Sequence, residues 1–392
     1  MITVRSTLTR RIAAALDASP SRIPVLVGGC GSGRTTSLHQ LRDRLGRTTT
    51  QYIDVEHAAT TPERFLHAIT TTSPFPAQEP SPTGARASFD STLAFLDRTR
   101  AGGNEPATFL LDEFLELRTF ESFPGLRQVL HELVGGLSSS GNRFVLTSRF
   151  TTRALRLLRD HSARFEVIHM PPLTAEDTLD ILGRGGLENP IGSEDANEAQ
   201  YVARTVHALA DGRPAYVRAI ADELSGMRDQ GAPGSTDAIS ALAALLAPEG
   251  RLSRECRFSY ELRLHRARGY GALKAILDIL AEEEGLTLTE ISQRLQRTPG
   301  STKDYLSWLE DVDLVVSRQK RYSFADPLLR LWVRLHCQPT APIEEDLVRE
   351  VHRYALPRLP QQPEHAMAMA TAGSSSVDVE EERKDWGIIE ID

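Results

Sequence analysis

The chain has 392 residues, of which 40% are apolar and 25% charged, with a formal net charge of −8. Length and composition suit two or three globular cores, and the acidic balance excludes a global positive field drawing the whole chain onto nucleic acid. Cys30, Cys256 and Cys337 lie far apart with no CxxC pair. That excludes zinc-ribbon and dithiol spacings and fits a reducing compartment.

In chain order, Met1–Ala15 is amphipathic and Arg-containing, with Ile12 and Leu16 spaced as on a helix face. It lacks the apolar core and cleavage site of a signal peptide, and no run approaches the roughly 20 apolar residues of a membrane span. A lead-in helix and a cytoplasmic location are the expectations. Strand-length apolar runs follow at Ile23–Gly28, Gln51–Val55, Thr108–Phe114, Arg143–Ser148 and Phe165–Met170, alternating with helix-period stretches. This alternation predicts a parallel sheet flanked by helices, with ligands at the C-terminal strand ends. The Pro-, Ser- and Gly-rich segment Ser73–Arg86 reads as a surface insertion before a helix at Phe89–Arg98. From Pro172 helical patterns dominate, at Thr174–Leu182, Ala196–Ala210 and Ala215–Leu224, until a Gly/Pro/Ser stretch at Asp229–Asp237.

The strongest local signal is Val25-Leu26-Val27-Gly28-Gly29-Cys30-Gly31-Ser32-Gly33-Arg34-Thr35-Thr36, a strand, a glycine-rich loop and the start of a helix. Phosphates need converging backbone N–H donors, and glycines let the chain curl tightly around them. The helix N-terminus beneath adds partial positive charge. The residues from Gly28 to Thr36 therefore form a candidate nucleotide-binding loop, with the Thr35 hydroxyl placed to ligate Mg²⁺. The basic position carries Arg34 where such loops usually carry Lys. Guanidinium is planar and bulky, so binding is more secure than hydrolysis.

Thr108-Phe109-Leu110-Leu111-Asp112-Glu113 is an apolar run ending in paired carboxylates, the form of a Walker B strand. Asp112 would hold Mg²⁺ and Glu113 would orient and polarise an attacking water. The run Phe144-Val145-Leu146 ends in Thr147-Ser148-Arg149, so that Thr147 or Ser148 suits a sensor-1 position. Arg149 reads either as a γ-phosphate contact made in cis or as a surface ion pair. Arg159 and Arg164 flank the turn before the last strand, as finger arginines or as solvated surface groups.

Assembled, the motifs GGCGSGRT, FLLDE, FVLTSR and MPPLTAEDTLDIL, with Asp211-Gly212-Arg213-Pro214, resemble the AAA+/STAND branch of P-loop ATPases, nearest the archaeal-type and origin-recognition-like ATPases. The resemblance implies an α/β fold with a five-stranded parallel sheet of order 5-1-4-3-2, a helical lid, and ATP with Mg²⁺ as ligands. It also implies that Arg213 acts as a sensor-2 residue, that Pro214 packs on the nucleotide, and that Pro24 lies near the adenine.

Tyr270–Leu335 reads as helix, helix-turn-helix and a short hairpin (Leu314–Ser317, Arg321–Phe324) with Gln319 and Lys320 at its tip, the order of a winged helix. The continuation Phe324-Ala325-Asp326-Pro327-Leu328-Leu329-Arg330-Leu331-Trp332 resembles the closing segment of the archaeal-type ATPases. Lys303, Arg318, Lys320 and Arg321 are candidate DNA contacts, opposed by Asp304, Glu310, Asp311 and Asp313. Packing of this unit on the ATPase core, or on a protein partner, is the competing expectation. The expected organisation is thus 1–172 ATPase core, 173–228 lid, 229–269 helical linker, 270–338 winged helix and 339–392 flexible acidic tail. In that tail Trp386, Ile388 and Ile389 would serve as a docking peptide. The functional expectation is a nucleotide-dependent switch hydrolysing ATP with Glu113-activated water and able to assemble with itself. The alternative is a regulator that holds ATP without turnover and binds DNA or protein.

Overall fold

The computed structural model describes residues 5–76, 82–161, 163–184, 196–229, 231, 237–265, 269–338 and 340–360. β1 (Ile23–Val27), β2 (Thr50–Asp54), β3 (Thr108–Asp112), β4 (Arg143–Ser148) and β5 (Phe165–His169) make one sheet in the order β2-β3-β4-β1-β5. All neighbours are parallel. This is the expected order read from the other edge. Every residue of β1 and β3 is buried, because helices cover both faces and leave no polar side.

On one face the lead helix Ser6–Asp17 packs Leu8, Ile12 and Leu16 against Leu38 and Leu41 of the helix Arg34–Leu45. On the other, Phe65, Phe89, Phe109, Phe120 and Phe144 build an aromatic core, with the Phe109 and Phe144 rings stacked 5.6 Å apart. The helix expected at Phe89–Arg98 begins earlier, at Ala85, because Gly84 supplies the preceding left-handed turn (φ 93°). Since β4 lies between β1 and β3, the polar ends of β3 and β4 stand beside the loop that leaves β1.

Beyond β5 come the helices Ala175–Arg184, Ala196–Leu209, Pro214–Asp229, Ala238–Leu246 and Arg251–Leu264. The C-terminal unit follows: Tyr270–Glu282, β6 (Leu286–Thr287), Leu288–Arg294, Pro299–Asp311, β7 (Val315–Arg318) and β8 (Arg321–Phe324). Its small antiparallel sheet has the order β6-β8-β7. Sequence chemistry sets these boundaries. Thr287 and Glu290 form a reciprocal capping box, and Thr298 caps a helix that opens with Pro299. Gln319 and Lys320 both take positive φ (52° and 64°), the two-residue turn that suits a tight hairpin.

One apolar cluster runs from Leu173 through Leu246, Tyr260 and Leu309 to Ala355. The residues expected as a linker therefore belong to the core of this half. The expected flexible tail also needs correction. A helix Glu344–Ala355 follows Pro327–His336, burying Leu347, Val351 and Tyr354, whose hydroxyl donates to Leu209 O at 2.8 Å. The polar composition of that stretch hid a strongly one-sided helix. Trp386, Ile388 and Ile389 lie outside the described residues.

Candidate functional site

The glycine loop leaves β1 at Gly28, whose amide donates to Ser148 O at 3.3 Å. Gly31 and Gly33 adopt positive φ (74° and 86°), which glycine takes without strain. Among the described residues, the amides of Gly31, Gly33, Arg34, Thr35 and Thr36 take no backbone acceptor, so they remain as donors at the start of a helix.

At the foot of the loop the Thr35 hydroxyl donates to Asp112 Oδ2 at 2.7 Å, and the Tyr52 hydroxyl reaches the same oxygen at 2.9 Å. Thr147 Oγ1 donates to Asp112 Oδ1 while accepting the Glu113 amide at 2.9 Å. Hydroxyls from three elements thus hold the Asp112 carboxylate. Burial and the Asp112 charge push the Tyr52 phenol well up, so it stays a donor. Glu113 sits in the left-handed region (φ 57°), and its side chain turns toward the loop.

Arg34 is buried and spans the loop. Nη1 donates to Gly28 O, to Gly29 O at 2.7 Å and to Ser32 Oγ at 3.0 Å, while Nη2 meets Glu113 Oε1 at 2.6 Å. Glu113 Oε2 accepts the Arg149 amide at 2.9 Å and lies 3.3 Å from Arg149 Nε. The far end of Arg149 pairs with Glu56. Burial disfavours the Arg149 cation, but Glu113 and Glu56 outweigh it and hold the guanidinium charged. Arg149 therefore lies inside the site, joined to Glu113.

Further cations close over the loop. Arg5 Nη1 donates to Ser32 O at 2.7 Å. The Ala215 amide donates to Gly31 O at 3.2 Å, bringing Arg213 and Pro214 to the loop. A Cβ placed on Gly29 would lie 3.1 Å from Arg213 Nη1, and one on Gly33 3.4 Å from Pro214 Cγ. Arg263 Nη2 contacts Cys30 Sγ at 3.1 Å. Burial raises the Cys30 thiol, but Arg263 and Arg149 outweigh it, and the net shift is downward.

The sequence-predicted residues Gly28 to Thr35, Asp112, Glu113, Thr147, Arg149, Arg213 and Pro214 are thus brought together. Ser148 braces the loop entrance and accepts the Phe150 amide at 3.0 Å, with its side chain fully buried. Pro24 lies inside β1, paired with Glu166 in register and buried, several residues before the loop. Arg164 ties Ser21 Oγ and Ser140 O at 3.1 and 3.0 Å, bracing the opposite strand ends, and Arg159 is exposed.

Sequence reasoning missed Arg5, Tyr52, Glu56 and Arg263, and the contact of Asp326 Oδ2 with Arg213 Nη1 at 2.9 Å. Of these only Asp326 stood in a quoted motif. Lys303, Arg318 and Lys320 are exposed, and Arg321 Nη1 donates to Gly285 O at 2.6 Å. The C-terminal end of the helix Pro299–Asp311 and the turn after it pack on the sheet half: Arg156 grips Asp311 at 2.9 and 3.3 Å, and the Thr151 amide donates to Asp313 Oδ2 at 2.5 Å. Among the described residues no cluster of His, Cys, Asp and Glu could hold a metal by itself, and no helix is long and apolar enough to cross a membrane.

No protein-family profile matches this sequence, and no curated protein does. Among solved structures, the Walker-type ATPase PABY2304 of Pyrococcus abyssi superposes with a TM-score of 0.60 at 18% identity, over 84% of this chain and 95% of that one. The Aeropyrum pernix Orc1 protein, solved in complex with DNA, gives 0.46 at 18% identity over 91% and 94%. Cdc6p of Pyrobaculum aerophilum gives 0.41 at 14% identity over 92% and 96%. With the first likeness and the strand order β2-β3-β4-β1-β5, the chain has the AAA+ P-loop ATPase fold.

Proposed function

We propose that the chain is an ATP-operated switch, with Mg·ATP held between the sheet and the helices that follow Pro172, and with the C-terminal unit acting as a winged helix that responds. The observation that carries this reading is the Thr35 hydroxyl on Asp112 at 2.7 Å, at the start of the helix beneath the glycine loop. A hydroxyl and a carboxylate so placed are the oxygen donors a Mg²⁺ bound with substrate phosphates uses. The free loop amides and the cations Arg5, Arg34 and Arg213 suit a polyanion, so the donor set fits Mg·ATP.

On this reading Thr35 and Asp112 would hold the metal, which when bound neutralises charge on the phosphates. The amides of Gly31 and of Gly33 to Thr36 cradle the phosphates, and Arg34 and Arg213 contact them. Thr147 fixes Asp112 and the Glu113 backbone. Glu113, once released by Arg34, takes the proton of the attacking water, and Arg149 orients its carboxylate through its amide and Nε. Residues 1–172 form the ATPase core, 173–228 the lid and 270–338 the winged helix.

A second reading, a regulator that holds ATP with negligible turnover, is favoured by the Arg34–Glu113 ion pair, which occupies the residue needed to activate water. The Arg156–Asp311 and Thr151–Asp313 contacts favour intramolecular docking of the C-terminal unit over DNA binding at that end of its helix. Lys303, Arg318 and Lys320 leave DNA or a protein partner as a use of the exposed face. The deciding experiment measures ATP binding and Mg²⁺-dependent hydrolysis side by side for wild type, Arg34→Ala and Glu113→Gln. Turnover lost in both variants, with binding kept in Glu113→Gln, supports the hydrolysing switch. Tight binding without turnover in wild type supports the second reading, and absence of binding sinks both.

A further inference from the structure

Arg213 stands between two anion sites. Its Nη1 lies against Gly29 of the loop, and the same Nη1 donates to Asp326 Oδ2 at 2.9 Å, with Nη2 on Ala325 O at 2.7 Å. Tyr216 adds a second donor to Asp326 Oδ2 at 2.7 Å. The other oxygen, Asp326 Oδ1, caps the helix Pro327–His336 through the amides of Leu328 and Leu329 at 3.0 and 3.3 Å. Asp326 thus belongs to the C-terminal unit, is 7% exposed, and reaches 113 residues back to hold the arginine that overhangs the loop. Burial disfavours the Arg213 cation, but Asp326 together with Tyr216, Asp211 and Cys30 outweighs it, so the guanidinium stays charged.

We propose that Asp326 is a built-in competitor of the nucleotide phosphates for Arg213, latching the C-terminal unit to the lid until ATP takes the arginine. The inference rests on reading the glycine loop as an ATP site and assigns that site its regulation. Two anions sharing one guanidinium across a poorly solvated gap repel each other, while each alone is held. Phosphates in the loop would approach the same Nη1 edge that Asp326 occupies. Binding therefore loosens the Asp326 contact, and with it the turn that starts the helix Pro327–His336. By reciprocity, an occupied latch weakens ATP binding to the same degree.

The test is titration of a fluorescent ATP analogue with Mg²⁺ into wild type, Asp326→Asn, Arg213→Gln and the double variant, with folding checked by thermal melts. Asn keeps a capping oxygen for the helix but removes the charge. Asp326→Asn is expected to tighten binding about tenfold. Arg213→Gln is expected to weaken it, and to abolish the gain from Asp326→Asn when the two are combined. Hydrogen exchange on the unaltered chain gives an independent readout: Mg·ATP is expected to raise exchange of the amides at Leu328 and Leu329. If wild type binds but Asp326→Asn binds equally or more weakly, Asp326 merely orients Arg213 and the latch is wrong. Slower or unchanged exchange at those amides on ATP addition also overturns it. If wild type and every variant fail to bind ATP, the reading of the loop itself fails.

Discussion

Arg34 Nη2 and Glu113 Oε1 lie 2.6 Å apart, each side chain only 9% exposed, so the base that would activate water is held by the cation that would bind phosphate. Two charges buried together are retained when their geometry is good and their other hydrogen bonds are met. Here Arg34 also fills loop carbonyls and Glu113 also accepts from Arg149. On the proposed reading of the site, this pair keeps the would-be base engaged until Arg34 moves to phosphate.

Arg34→Lys should therefore raise turnover. A planar fork spans from the loop carbonyls to Glu113, whereas a single ammonium serves only one of them at a time. The expected outcome is a rise of roughly tenfold in Mg²⁺-dependent phosphate release, with a smaller change in ATP affinity. Unchanged turnover with ATP bound would show that the ion pair is not what restrains hydrolysis.

Glu113→Gln should separate binding from chemistry. Removing the carboxylate leaves Arg34 without its buried partner, at a cost of about 3 kcal/mol in a chemical-denaturation series. Turnover, measured as phosphate release, should fall by roughly a hundredfold or more while ATP still binds. A variant as stable as wild type would mean that Arg149 and Arg34 are satisfied elsewhere.

Much of this site was legible beforehand because its chemistry sits in short, local runs. Val25–Thr36 and Thr108–Glu113 each carry an apolar strand run and its own polar ending. Tyr52 was illegible for the opposite reason. Its hydroxyl meets Asp112 only because β2 pairs with β3 in the register that sets Tyr52 opposite Leu110. Arg5, just ahead of the lead helix, and Arg263, in the helix Arg251–Leu264, come to the loop from segments outside its motif, and no local pattern marks an arginine that will point at a loop. The stretch from Pro339, rich in Pro, Ala and Ser and ending in an acidic run, masks the helix Glu344–Ala355 within it, although Leu347, Val351 and Tyr354 recur at helical spacing. Spacing, not average polarity, decides whether a face can be buried.

Gly31→Ala should pull the lid away from the loop. Gly31 has φ 74°, and a Cβ there would lie 2.9 Å from Ala215 Cβ, closer than real side chains approach. The backbone conformation and the clash both act against the contact between the Ala215 amide and Gly31 O. The prediction is a loss of about 1–3 kcal/mol in stability and at least a tenfold loss in ATP affinity. Gly135→Ala, where a Cβ meets nothing within 4 Å, is the matching control and should leave binding unchanged.

Docking of the C-terminal unit should depend on pH through Asp313. Burial pushes this carboxyl from its ordinary 3.8 up to about 6, although the Thr151 amide and Arg263 pull it down. An acid whose folded pKa lies above its unfolded value contributes stability that is complete below the unfolded pKa. That contribution is lost as pH rises through the folded one. The window is thus from about 4 to about 6, and the total loss is on the order of 3 kcal/mol. Other carboxylates titrate over the same range, so the measurement is the difference between wild type and Asp313→Asn in denaturant stability at several pH values. Asn keeps an oxygen for the Thr151 amide but carries no charge. The wild-type advantage should shrink between pH 4 and 6 and level off above; a difference that stays flat would show that Asp313 does not titrate against its burial at this interface.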